Sequence, residues 1–263
     1  MDMVKQLAQE LGLREEQVAA AVRLIDEGNT IPFIARYRKE VTGSMEDTAL
    51  RELDERLGYL RNLEKRKSEV LSAIGEQGKL TPELEASVAA AQTLAVVEDL
   101  YRPYKQKRRT RGSIAREKGL EPLAAAIFAQ STLADPLVMA RDYLSEEKGV
   151  DSPEAALAGA LDIIAEDLSD DAAIRGELRR LIHTDGLVAC AGEGQEGGTY
   201  AMYQDFSEPV GRIAPHRVLA INRGVKEGAL KAAIQLPEEK AVGLICRRVV
   251  TAKHPCARAV ETA

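Results

Sequence analysis

Apolar residues recur at threes and fours along most of this chain. Val4, Leu7, Ala8 and Leu11 form a first stripe closed by Gly12, and Val18, Ala21, Val22 and Ile25 form a second within Glu15 to Glu27, stopped by Gly28. Thr30 is placed to cap a third helix whose first turn tolerates Pro32. The pattern therefore predicts a helix, a tight turn and another helix. From Glu46 to about Ile74 there is no proline, and Leu50, Leu53, Leu57, Leu60, Leu63, Val70, Leu71 and Ile74 keep the helical spacing. One long helix is expected there, supported by acid-first pairs of Asp47 with Arg51 and Glu52 with Arg56 at i and i+4. Glu64 and Lys67 interrupt the stripe where a strict heptad wants leucines, which favours an internal scaffold helix over a coiled-coil dimer.

Gly75 and Gly78 are expected to end that helix. Thr81-Pro82-Glu83-Leu84 then starts another, and helical spacing runs to Leu100 and resumes over Glu121 to Gln130, Asp135 to Leu144, and Ser152-Pro153 into Ile164 and Leu168. Beyond Asp185 glycines crowd together. Short apolar runs at Leu187 to Cys190 and Ala229 to Ile234 predict a small β element, while His216 to Ile221 and Pro237 to Val250 stay helical. The expected fold is mainly α: a multi-helix scaffold with a helix-turn-helix-like element, a long central helix and a small mixed α/β region near the C-terminus. Three regions are expected, at 1–110, 111–184 and 185–263. The last residues open a fresh helical segment, so the chain reads as a fragment truncated in its third region.

Composition agrees with helices. The apolar share is 45% with only 4% aromatics and no tryptophan, carried by small and branched aliphatics among abundant charges. Three irregularly spaced cysteines, no basic-then-apolar start and no long apolar run predict a cytoplasmic protein without a membrane association.

Charge changes the picture more. The net charge is −6, yet Tyr101 to Arg111 places six cations and two tyrosines in eleven residues, and Tyr101 to Lys118 carries a local +7. A field of one sign attracts phosphate or an acidic protein surface locally even when the net charge repels it. Lys105, Lys107, Arg108, Arg109 and Arg111 are thus candidate nucleic-acid contacts, and Tyr101 and Tyr104 either stack on bases or anchor the core. Arg36, Arg38 and Lys39 form a second candidate cluster. Cations near a helix C-terminus also offset the macrodipole without any ligand. Phe33 and Tyr37 in the same segment are expected to pack as core anchors.

Other chemistry is argued against. Gly192 to Gly197 satisfies G-x-G-x-x-G, but no helix opens from its third glycine, and Glu193 and Glu196 place carboxylates where a pyrophosphate belongs. A connecting loop is expected. Cys246, His254 and Cys256 lack a fourth ligand at finger spacing, and Asp162, Glu166, Asp167, Asp170 and Asp171 read as a solvated acidic face or as partners of the basic run. No catalytic motif stands out, and no enzyme activity, cofactor or metal is expected.

Six ordered segments resemble the Tex family of bacterial transcription accessory proteins, also described as S1 RNA-binding-domain proteins. They are T-I-P-F-I-A-R-Y-R-K-E-V-T-G from Thr30, L-R-N-L-E-K-R-K from Leu60, E-D-L-Y-R-P-Y-K-Q-K-R-R-T-R from Glu98, I-A-R-E-K-G-L-E-P-L from Ile114, D-F-S-E-P-V from Asp205 and H-R-V-L-A-I-N-R-G from His216. The sequence departs from that pattern at Leu161, where arginine is usual, and from about Val249. The resemblance implies the amino-terminal part of a multidomain protein, followed in the family by RNase-H-like, helix-hairpin-helix and S1 domains, the S1 domain being the main nucleic-acid binder. Two functions compete on this reading. One is a non-enzymatic module contacting RNA or DNA through phosphate charge without sequence readout; the other is a scaffold docking those domains or the transcription machinery, with no nucleic-acid affinity of its own.

Overall fold

Helix boundaries follow the glycines and caps. The computed structural model describes residues 2–105, 109–192, 198–251 and 253–263, and among them the fold is mainly α, with fourteen α-helices and one three-stranded sheet. By its contacts the chain divides into two compact units, Met1–Tyr101 and Arg102–Ala263.

The first unit contains α1 (Met3–Leu11), α2 (Glu15–Asp26), α3 (Ile31–Tyr37), α4 (Asp47–Glu76), α5 (Pro82–Ala90) and α6 (Leu94–Tyr101). Gly12 closes α1 in the left-handed conformation at φ 65°, and Gly28 turns the chain into α3 at φ 84°, conformations that cost a residue without Cβ little. The expected leucine stripe of α4 is buried as Leu50, Leu53, Leu57, Leu60 and Leu63, and α1, α2 and α3 pack on its first half through Leu7, Val18, Ala21, Leu24 and Ile34. The helix runs through Gly75 rather than stopping there, and Gly78 at φ 66° follows its end.

One expected ion pair of α4 needs revision. Asp47 and Arg51 do pair, at 2.6 Å, but Arg56 turns from Glu52 to Glu10 of α1, with Nε at 2.5 Å and Nη2 at 2.9 Å from its two oxygens. A two-bonded guanidinium–carboxylate pair offered by a packed neighbour outcompetes a helical i,i+4 contact. Arg61 likewise reaches Asp26 of α2 at 2.7 Å. The interruption at Lys67 turns inward. Lys67 is buried, and its ammonium donates to the Ala89 carbonyl in the last turn of α5 and to Glu64, both at 2.9 Å. It satisfies a carbonyl that the helix end leaves without a partner and complements the negative end of the dipole.

The second unit is organised on α10 (Pro153–Asp170), which receives α7 (Arg111–Glu117), α8 (Glu121–Phe128), α9 (Pro136–Ala140), α11 (Ala172–Asp185) and, from the end of the chain, α14 (Pro255–Thr262). Its buried face pairs small with branched side chains, Ala156 and Ala160 with Ile163 and Ile164. Glycines bring α7 very close to it. A Cβ on Gly112 would lie 3.0 Å from the Asp162 carbonyl, and one on Gly159 would lie 2.5 Å from Leu120 Cδ1. This closeness sets the carboxylates of α10 beside the basic run.

Beyond α11 lie β1 (Leu187–Gly192), β2 (Asp205–Pro209), α12 (Pro215–Lys226), β3 (Leu230–Gln235) and α13 (Glu238–Val249). The sheet order is β2-β1-β3, antiparallel throughout, with Cys190 opposite Phe206 on one side and Ala232 on the other. Cys190, Tyr203, Ile221 and Leu230 form its core. The apolar runs at Leu187 and Ala229 thus become strands as expected, whereas β2 carried no apolar run to announce it. Residues 193–197, the core of the glycine-rich motif, lie outside the described residues.

Candidate nucleic-acid interface

The basic run begins with a 3-10 turn at Arg102–Tyr104 and continues into α7, whose N-cap Thr110 accepts from the Ser113 backbone N–H at 3.0 Å. Along it the cations divide by the depth of their partners. Arg102 binds Asp170 at 2.9 Å, and Asp170 is buried. Arg116 sits among three carboxylates, bonded to Glu166 at 2.7 Å and to Asp167, with Glu121 at 3.7 Å. These two tie the run to α10. Arg109 and Arg111 differ: Arg109 meets Glu117 at 3.1 Å with its side chain 71% exposed, and Arg111 meets Asp162 at 3.4 Å while 87% exposed. Lys105 is exposed, and Lys107 and Arg108 lie outside the described residues.

The acidic stretch on α10 is therefore a partner of the basic run and not merely a solvated face. Asp171 stands apart from it as the N-cap of α11, accepting from the Ile174 N–H at 2.8 Å. The crowding has an electrostatic signature. Partial desolvation, with Glu166 and Asp170 nearby, raises the Asp167 carboxyl above its ordinary range despite the opposing pull of Arg116; desolvation works against the charged form of Arg116 too, yet the acids around it hold its guanidinium further toward that form.

Tyr101 is half-buried, with the Arg66 guanidinium 5.5 Å from its ring centroid, and Arg66 is itself bonded to Glu98 at 2.6 Å. That ring is engaged within the first unit.

The second candidate cluster lies at the end of α3, in the first unit. Arg38 occupies the C-cap, donates to the Tyr37 carbonyl at 3.1 Å and covers the Phe33 ring at 5.2 Å, so one of its roles is to close the helix. Arg36 and Lys39 are exposed, with no side-chain ion pair or hydrogen bond among the described residues. Here an expectation fails. Tyr37 is not a core anchor but 57% exposed, and Phe33 is only half-buried; Ile34 fills the core. Phe33 and Tyr37, four residues apart, share one stripe of α3, and packing against α2 and α4 turns the neighbouring stripe of Ile34 inward instead.

Sequence reasoning missed Arg14. It precedes α2, yet its Nη2 lies 3.2 Å from where a Gly43 Cβ would stand, which brings a fourth cation to the loop after α3. No local pattern signals this, because the approach depends on how that loop folds back. Gln17 Nε2 donates to the carbonyls of Thr42 and Gly43 at 3.2 and 3.1 Å, and buried Thr42 donates from Oγ1 to the Arg38 carbonyl at 3.2 Å.

Two of the cysteine and histidine candidates have structural roles. Cys256 is buried in the core around α10, its thiol raised by that burial, and His254 caps α14 with Nε2 2.9 Å from the Gln130 carbonyl. Among the described residues no helix is long and apolar enough to cross a membrane.

An α-helical scaffold with a small sheet, presenting two clusters of cations, is the class of protein that this geometry defines. The Tex-like protein N-terminal domain matches residues 1–75, and the Tex central region-like domain matches residues 131–263; the chain belongs to the Tex family. It is 46% identical over 257 residues to Protein tex of Bordetella pertussis, covering 97% of this chain and 31% of that protein. With the Transcriptional accessory protein Tex of Neisseria gonorrhoeae it shares 44% identity over 89% of the chain and 31% of the relative. With the human S1 RNA-binding domain-containing protein 1 the identity is 27%, over 90% of the chain and 24% of the relative. The chain thus spans about a third or less of the length of these curated relatives.

Proposed function

We propose that this chain is a non-enzymatic, cytoplasmic module of a transcription accessory protein that contacts RNA or DNA through phosphate charge, without reading sequence. The observation that carries this is the exposure of Arg109 and Arg111, whose side chains remain 71% and 87% in solvent although each has a carboxylate nearby. Exposed single pairs contribute little, so a phosphate displaces the carboxylate at small cost, whereas Arg102 and Arg116 are committed to α10. The printed names of the Neisseria and human relatives, transcriptional accessory protein and S1 RNA-binding domain-containing protein, support the same role.

Binding of the full chain to a labelled single strand, measured across salt concentrations, tests this. Replacing Lys105, Lys107, Arg108, Arg109 and Arg111 with Gln should flatten the slope of log K against log salt by about 0.7 for each phosphate no longer neutralised. A folded variant with an unchanged slope overturns the assignment.

A second reading is favoured by a separate observation. Met202 before β2, Leu219 on α12 and Ile234 on β3 are 74%, 69% and 57% exposed, apolar side chains of the kind by which further domains or proteins of the transcription machinery dock. On that reading the chain binds no nucleic acid at any salt concentration.

A further inference from the structure

We infer that Tyr37 is a stacking platform for an unpaired nucleobase, flanked by Arg36 and Lys39 as phosphate contacts, with Arg14 beside the loop that follows; this rests on the nucleic-acid reading above and adds a second site, in the first unit. The ring is placed for that use. It is 57% exposed, and Phe33 braces it with ring centroids 5.3 Å apart and planes at 47°, while Arg38 covers Phe33 itself at 5.2 Å. Core packing does not need Tyr37, because Ile34 on the same helix is fully buried.

The backbone beside it is fixed before any ligand arrives. Thr42 and Gln17 hold the loop after α3 by the bonds described above, and Ser44 donates its N–H to the Lys39 carbonyl at 2.7 Å. Gly43 and Ser44 both adopt positive φ, at 62° and 64°, as this tight return requires. A prepared surface loses less entropy on binding.

Charge decides between a nucleic acid and an apolar protein as occupant. Between Phe33 and Met45 there are three cations and one acid, Glu40, and Arg14 adds a fourth cation from α2's start. Cores of protein interfaces are depleted in charge, whereas an aromatic ring set among cations with no carboxylate partner among the described residues matches a base with its flanking phosphates. It also selects the strand type. A base stacks on a side chain only when it is out of the duplex, so the ligand is single-stranded RNA or DNA.

Two short probes of equal length, a single strand containing 2-aminopurine and a duplex, can be titrated with the full chain, with folding checked by circular dichroism. Tyr37→Ala should weaken single-strand binding by roughly tenfold and abolish the quenching of 2-aminopurine, while leaving the salt slope and duplex binding unchanged. Tyr37→Phe should restore both. Equal single-strand affinity for a folded Tyr37→Ala and the unsubstituted chain overturns the platform while leaving the phosphate-binding reading intact. If the unsubstituted chain binds neither probe, that reading itself fails and the platform with it, and a protein partner for this surface takes its place.

Discussion

Arg116 of α7 and Glu166 of α10 are joined at 2.7 Å with both side chains largely withdrawn from solvent, five residues along the chain from an arginine that stands almost wholly in it. The same basic run therefore holds two kinds of cation. Neutralising them should affect stability unequally. Arg116→Ala leaves Glu166 and Asp167 without their shared partner and should cost about 2–3 kcal/mol in urea denaturation, while Arg109→Ala should stay within about 0.5 kcal/mol.

Lys67 makes a second separable case. Its ammonium ends on the Ala89 carbonyl, so Lys67→Met keeps the stem's volume but strands that acceptor at the end of α5. A loss of about 1–3 kcal/mol is expected from the thermal midpoint. Stability unchanged within error would mean that water satisfies the carbonyl equally well.

Gln130 fastens the segment before α14. Its side chain donates to the Val249 carbonyl at 2.7 Å and accepts from the Thr251 N–H at 2.9 Å, and its own carbonyl lies 2.9 Å from His254 Nε2. Gln130 also sits at φ 50°, unusual for a residue with a side chain. Gln130→Gly relieves the backbone yet removes the side-chain bonds. Hydrogen exchange at the Thr251 amide should therefore quicken by at least tenfold in both Gln130→Gly and Gln130→Ala; protection retained in either would assign the fastening to the backbone alone.

Acid should loosen the packing of α1 and α2 on α4. Hydrogen bonds from Arg56 and Arg61 hold the carboxyls of Glu10 and Asp26 below their ordinary values. A depressed folded-state value means that the stabilisation is fully present above the unfolded value, near 4, and is lost as pH falls through the folded one. Denaturation midpoints of the unsubstituted chain should decline over that window, and those of a Glu10→Gln, Asp26→Asn variant should decline less. Identical profiles would show the pairs to be too exposed to matter.

Helices are legible in the sequence where periodicity and punctuation agree. Gly12 and Gly28 stand at positive φ where the stripes end, and the leucines of α4 are buried as spaced. What escapes depends on partners distant in the chain. Glu10 lies 46 residues from Arg56, and Lys67 meets a carbonyl 22 residues on, so neither contact leaves a local trace. The strand β2 is short and alternates without an apolar run, and only pairing with β1 makes it a strand. At the candidate site the sequence gathers the cations but does not rank them, because exposure follows from the approach of α10 that Gly112 and Gly159 permit. Tyr37 departs from expectation because an aromatic on a helix usually faces the core.

The length of α4 has a mechanical consequence. At 1.5 Å per residue its 30 residues reach about 45 Å, and the helix bears α1 to α3 near one end and α5 and α6 near the other. Neither group can come away without baring leucines of a rod that the other group also grips. The first unit is thus expected to melt in one cooperative step, with a disturbance at the α3 loop felt as far along the chain as Ala89.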